Sequence, residues 1–405
     1  MKQLSSGGFE VTKYKVQSLV FILVAFMLGC NEFIVVGILP DLSAQFHTPI
    51  STMGYLVTIF AMVYAVSAPF VTILTSRYSR YKTLLTLMIV FLIGNTLSAL
   101  SIGYLTMMAS RIITATTAGS IISLIMTFAS TIAPRDKRAS LVSWIFAGFS
   151  IASVFGVPIG VAVSTSFGWR YTFWGISIIS ICTFLLLTQI LPKKVKQTKS
   201  TIKNQLTILL DPRIYHGVFL VLFTAATMYG YYTYIRPLLT TSMGFSTQSL
   251  NWLLFIIGIM SILSNRLSGM MAEKPNSLRK IPPFYIADII LLIVFPFALH
   301  SKIAGLAIIL ILTLIVTIIN SPVQIHFLNL AEKEYPQSLV FASSLSSIFF
   351  NFGISLGSAT ASSMVGIVGL DRISIGSVVF AVLSLGFLLL INRAIRKGFT
   401  AKKTH

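Results

Sequence analysis

"LPKKVKQTKSTIKNQ", residues 191–205, carries five lysines and no acid, and is the longest hydrophilic stretch in a chain of 405 residues. What lies on either side of it decides the fold. Upstream, apolar runs fall near 17–39, 51–75, 83–103, 105–132, 139–164 and 171–191; downstream, near 214–239, 249–272, 283–300, 303–329, 338–366 and 373–391. A helix rises 1.5 Å per residue, so runs of this size reach across about 30 Å of hydrocarbon. The composition agrees: 55% of residues are hydrophobic and 10% charged, with a mean hydropathy of +0.88, against about 25% charged in soluble domains. The expected fold is an all-α membrane protein of twelve transmembrane helices in two six-helix bundles. Residues 1–192 form the first bundle, 193–213 a basic linker and 214–405 the second bundle.

The net charge of +20 invites a nucleic-acid reading, but its distribution argues against one. Counted over the N-terminus, the linker, the other loops on its side and the C-terminus, Lys and Arg number 24; the opposite loops hold only Arg170, Lys302 and Arg372. This asymmetry places both termini in the cytoplasm and leaves anionic lipid as the partner of the basic charge. The N-terminus shows no small-residue cleavage site, so no removable signal is expected. Cys30 and Cys182 sit in apolar runs and read as small hydrophobes rather than a disulfide.

The two halves repeat at one offset. Pro40 of "GILPDL" and Pro237 of "YIRPLL" are 197 residues apart, as are Gly156 and Gly353, and Gly160 and Gly357. The loop "TILTSRYSRYK" (72–82) matches "GMMAEKPNSLRK" (269–280) at the same spacing. A six-plus-six duplication marks many secondary transporters.

These stretches carry a resemblance. "NEFIVVGILPDLSAQF" (31–46), "GFSIASVFGVPIG" (148–160), "GWRYTF" (168–173) and "YYTYIRPLL" (231–239) resemble the major facilitator superfamily, within it the drug:proton antiporter branch with its sugar-, purine- and chloramphenicol-efflux members. The resemblance implies the major facilitator fold, a bacterial cytoplasmic membrane location and a monomeric multi-pass transporter. It links the span-five motif (Gly148, Gly156, Pro158 and Gly160) to antiport. The loop after the second run departs from the superfamily pattern: Ser76 stands where an Asp is usual, Arg77 and Arg80 remain, and an acid survives only at Glu273 in the second half.

Glu32 is an acid near the middle of an apolar run, where charge costs about 2.5–3.5 kcal/mol on insertion scales. It is read either as a packing acid held by hydrogen bonds or as a proton carrier, because removal from water disfavours the charged carboxylate. The resemblance favours the second. Arg111, four residues from the centre of the fourth run, lies at matching depth, about 6 Å outward of the midplane at 1.5 Å per residue. It is read as the counter-charge of Glu32 or as part of a buried structural pair.

Asn31, Phe33, Tyr229, Tyr232 and Asn351 are expected to line the substrate cavity; Tyr229 is the repeat-mate of Glu32. Tyr234, beside Arg236, reads as an interfacial aromatic. Asp288 is read either as a second proton site or as a structural acid, snorkelling or hydrogen-bonded. The second is preferred because its run should be peripheral and the residue lies about one and a half turns from the cytoplasmic end. No metal or cofactor is called for, since no H-E-x-x-H, phosphate-cradling loop or His/Cys cluster is present. The expected activity is therefore not enzymatic. It is proton-coupled efflux of small amphipathic organic compounds such as drugs, a multidrug-resistance activity. The alternatives are a dedicated sugar, nucleobase or nucleoside exporter, and a flippase of lipid-linked substrates.

Overall fold

A computed structural model describes residues 2–74, 78–134, 137–193 and 207–401. Arg77 and most of the expected linker lie outside the described residues. Within them all regular structure is helical. The first helices are α1 (Lys2–Phe46), α2 (Ile50–Leu74), α3 (Arg80–Ala99), α4 (Tyr104–Ile132), α5 (Arg138–Ile151), α6 (Val157–Phe167) and α7 (Trp169–Ile190). They are followed by α8 (Pro212–Tyr232), the single turn α9 (Ile235–Pro237), α10 (Thr247–Ala272), α11 (Pro282–Ala298), α12 (Lys302–Val316), α13 (Asn320–Glu334), α14 (Leu339–Ile367) and α15 (Ser374–Ala401). A π-helical turn, Ala152–Gly156, joins α5 to α6, and α12 runs through a 3-10 turn into α13. Among the described residues, eleven helical stretches are long and apolar enough to cross a membrane, and α11, at 17 residues, is a shorter apolar helix. Large apolar side chains such as Ile93, Ile178 and Phe297 are exposed, as lipid-facing positions require.

The chain forms two compact units. Unit 1 holds residues 1–48 and 66–199; unit 2 holds 49–65 and 200–405. Helix α2 is thus divided, its first part belonging to unit 2. There Thr58 Oγ1 lies 2.9 Å from Ser358 Oγ. Tyr234, read from sequence as interfacial, is completely buried in unit 2. Its hydroxyl lies 3.2 Å from the carbonyls of Ile50 and Ser51 and 3.0 Å from Ser362 Oγ. The correction has a simple cause: a phenol can sit deep when acceptors are at hand.

Both units show the same internal pairing. In unit 1, α1 packs along α5, the π turn, α6 and α7, and α3 along α7; in unit 2, α8 packs along α14 and α15, and α11 along α15. The repeated glycines explain the first of these pairings. A Cβ on Gly156 would stand 2.6 Å from Cys30 Sγ, one on Gly148 2.6 Å from the Ile22 carbonyl, and one on Gly160 2.9 Å from Ile34. Their repeat-mates do the same work: a Cβ on Gly353 would stand 2.1 Å from the Leu222 carbonyl and one on Gly357 2.4 Å from that of Ala226. Small residues let membrane helices approach to backbone contact. Pro158 follows the π turn, so its missing N–H falls where the ladder is already irregular. Backbone oxygens cannot swing aside as side chains do, so Gly357→Ala should lower stability by about 1–3 kcal/mol, the usual cost of overpacking. Gly386→Ala, where a Cβ meets nothing within 4 Å, serves as the control. Thermal unfolding in detergent should show a fall for the first and none for the second.

Unit 2 also carries an ionic cluster where α8 begins. Asp211 caps α8, accepting from the Arg213 backbone N–H at 2.8 Å, with Pro212 at the first helical position. Arg213 Nη2 lies 2.6 Å from Asp211 Oδ2 and 2.5 Å from Glu334 Oε2. The Tyr335 hydroxyl donates to Asp211 Oδ2 at 3.1 Å, and a His326 ring nitrogen lies 3.2 Å from the Arg213 carbonyl. Burial alone would push the Asp211 carboxyl up. The hydrogen bonds and charge of Arg213, with that of Tyr335, more than reverse this and hold it below the usual carboxylate range. A depressed carboxyl contributes stability above its unfolded value, about 3.9, and loses it as pH falls through the folded one. Arg213→Ala should cost about 2 kcal/mol, between exposed and buried pairs. Unfolding midpoints should show that deficit at neutral pH and a smaller one near pH 3.

Candidate functional site

Unit 1 gathers its polar residues around Arg111. This side chain is completely buried, and its Nη1 donates to the backbone carbonyl of Asn31 at 2.7 Å and to Asn31 Oδ1 at 3.1 Å. Asn31 Nδ2 in turn donates to Asn95 Oδ1 at 2.8 Å. Asn95 Nδ2 donates to the Phe173 carbonyl at 2.9 Å and to Ser177 Oγ at 2.8 Å. The chain of bonds ends with Ser177 Oγ 3.1 Å from Thr96 Oγ1. It ties α1, α3, α4 and α7 together, which satisfies two amides that could not be buried alone.

Glu32 follows Asn31 on α1 and interacts electrostatically with Arg111. Unlike Arg111, it is only partly buried. The arrangement therefore sets a half-buried Glu32 beside a fully buried cation, itself held by an amide network. Asn31, expected to face a cavity, is instead completely buried, its amide consumed in orienting Arg111. Phe33 is half-buried. Asn95 escaped the sequence reading. The signal was available, since an amide inside the apolar run "FLIGNTLSAL" (91–100) meets the same criterion as Asn351.

In unit 2, Tyr229 and Tyr232 of α8 are both buried, with ring centroids 5.8 Å apart in an edge-on arrangement. Tyr229 meets Phe350 of α14 at 6.4 Å, also edge-on. Beside Phe350, Asn351 donates to the Ser347 carbonyl at 3.1 Å, leaving its Oδ1 buried without a hydrogen-bond partner. An unused amide acceptor beside aromatic faces suits a ligand with a donor and a flat or apolar surface.

The remaining motif residues are dispersed. Arg80 begins α3 after Ser79, and Glu273 is exposed at the end of α10. Both cysteines are free; Cys30 is buried against Gly156, whereas Cys182, expected in the core, is exposed on α7. Among the described residues no three His, Cys, Asp or Glu side chains gather to hold a metal ion.

Comparison with known proteins agrees with this fold. The family model described as Major Facilitator Superfamily matches residues 21–358. An uncharacterized MFS-type transporter of Bacillus subtilis (strain 168), YtbD, is 33% identical over 341 residues, 82% of this chain and 84% of the relative. The inner membrane transport protein YdhP of Escherichia coli (strain K12) is 27% identical over 341 residues, 84% and 86% of the two chains. A crystal structure of a bacterial homolog of the human lysosomal transporter Spinster, inward-facing and unoccupied, superposes with a TM-score of 0.75 at 16% identity over 96% of this chain and 98% of that one. That of a D-xylose-proton symporter gives 0.74 at 17% identity over 92% and 96%; both likenesses concern the fold alone. The chain belongs to the Major Facilitator Superfamily and is a multi-pass membrane transporter rather than an enzyme.

Proposed function

We propose that the protein is a proton-coupled exporter of small amphipathic organic compounds, working by alternating access. The observation that carries this reading is the electrostatic pairing of Glu32, a half-buried acid within an apolar membrane-spanning run, with the completely buried Arg111. A carboxyl in such a place has two stable arrangements: protonated and neutral, or ionised and held by the guanidinium. In the cycle, Glu32 takes its proton from outside as substrate leaves. It gives the proton up inside as new substrate binds, with Arg111 holding the resulting carboxylate.

Tyr229, Tyr232 and Asn351, with Phe33, supply substrate contacts, and Arg77, Arg80 and Glu273 act in the cytoplasmic loops. In this reading α11 serves as the twelfth span, both termini are cytoplasmic, and residues 1–192 and 214–405 are the functional halves, joined by the basic linker. A dedicated sugar, nucleobase or nucleoside exporter is the second reading, favoured by the aromatic faces and spare amide oxygen around Tyr229 and Asn351.

Over-expressing cells screened for drug tolerance and exported metabolites supply a substrate. Purified protein in liposomes is then given an imposed pH gradient. Accumulation against the substrate's own gradient, abolished by a protonophore, is the expected result. Accumulation that ignores the gradient or requires ATP would overturn the proton-coupled reading.

A further inference from the structure

Buried polar groups in the spans differ in how they are held. Asp288 of α11 is 1% exposed, and neither of its carboxyl oxygens has a hydrogen-bond partner. This corrects the expectation of a snorkelling or hydrogen-bonded acid. Asn95 of α3 is the opposite case: it is completely buried, and both ends of its amide are engaged. Its Nδ2 donates to the Phe173 carbonyl at 2.9 Å and to Ser177 Oγ at 2.8 Å, while its Oδ1 accepts from Asn31 Nδ2 at 2.8 Å.

The order of donors and acceptors along this chain is fixed at one end. A backbone carbonyl can only accept, so that of Phe173, on α7, requires the nitrogen of Asn95 to face it. The oxygen of Asn95 must then face α1, where the nitrogen of Asn31 meets it. That leaves Asn31 Oδ1 for Arg111, whose Nη1 lies 3.1 Å away. A guanidinium carries donors only, so a reversed Asn31 amide would set its NH2 against the cation, donor to donor. The second bond of Nη1, to the Asn31 carbonyl at 2.7 Å, exists in either orientation. The two ends of an amide are alike in shape, so the shape of the Asn31 side chain does not choose between them. The choice is made on α3 and anchored by α7.

We propose that Asn95 is a positioning residue: by fixing the orientation of the Asn31 amide it holds the Arg111 guanidinium in its place beside Glu32. Among the described residues, Asn95 bonds to neither Arg111 nor Glu32, so it acts through Asn31. Arg111 interacts electrostatically with Glu32, and the hold on its guanidinium therefore bears on that acid. The consequence for export rests on the proton-coupled reading of Glu32; the positioning of Arg111 does not.

Solid-state NMR of the full chain in lipid bilayers, with 15N in the arginine guanidinium groups, tests the positioning. The Arg111 signals are identified by their loss in Arg111→Lys. Asn95→Leu, close in size but without polar atoms, should shift the Arg111 Nη signals and average them as the group turns more freely. Ser177→Ala should leave them in place, because the Phe173 carbonyl still orients Asn95. Should Asn95→Leu fail to fold, Asn95→Ala takes its place. In liposomes, Asn95→Leu should lower gradient-driven accumulation about tenfold, the equivalent of one hydrogen bond to a charged group, and spare downhill exchange. Unchanged Arg111 signals in a folded Asn95→Leu protein would make Asn95 a packing residue and overturn the proposal. Shifted signals with undiminished accumulation would support the positioning and count against the proton-coupled reading.

Discussion

Glu32→Gln should abolish uphill export while leaving the protein folded and able to bind substrate. The amide is nearly isosteric with the protonated carboxyl and carries no charge to bury, so the packing of α1 against α5, α6 and α7 is undisturbed. What it cannot do is exchange a proton. A transporter whose coupling depends on that exchange should lose gradient-driven accumulation by at least about 100-fold, a change of roughly 2.7 kcal/mol in the driving step. Downhill, substrate-only exchange should continue at a rate comparable to wild type. Measuring both modes in liposomes separates coupling from folding. Near-normal accumulation in the variant would make Glu32 a packing acid.

Arg111→Ala should impair transport in a different way and by a comparable amount. The substitution removes the cation that favours the ionised form of Glu32, so proton release on the cytoplasmic side becomes harder. Transport should therefore recover in part as internal pH is raised. It also strips Asn31 of its guanidinium partner and leaves a cavity among α1 and α4, so a loss of stability of about 2–5 kcal/mol accompanies it. The pH-dependent recovery is the diagnostic part, because a stability defect would not be mended by alkali. Internal pH clamped at several values in wild type and variant should show it; a uniformly depressed profile would assign Arg111 to structure alone.

Much of this was legible in the sequence because membrane helices are constrained by length and by backbone satisfaction. Apolar runs and the offset linking Gly156 to Gly353 and Gly160 to Gly357 pointed to repeated close approaches, and the structure finds those glycines against Cys30, Leu222, Ala226 and Ile34. Partners in polar networks were less legible, since nothing in the run containing Asn95 announces a bond to a residue 64 positions away. The π turn at Ala152–Gly156 is invisible to periodicity, which registers apolar length and not the register of the ladder. Tyr234 and Asp288 were misplaced for one reason. Distance from a helix end suggests access to the interface, whereas burial is decided by which neighbours cover the face. Arg111 was matched to Glu32 by depth alone, and the structure places the two in electrostatic interaction.

Proton movement driven by substrate distinguishes coupled from uncoupled transport. Liposomes containing the protein and a trapped pH indicator, with no pH gradient imposed, are given a substrate gradient. Substrate leaving the cytoplasm-equivalent side should drive protons the opposite way in wild type. Glu32→Gln should carry substrate downhill with no proton signal. Substrate movement without a proton signal in the wild type would mean that transport is uncoupled from protons, and a proton signal that survives in Glu32→Gln would place the proton path on another group.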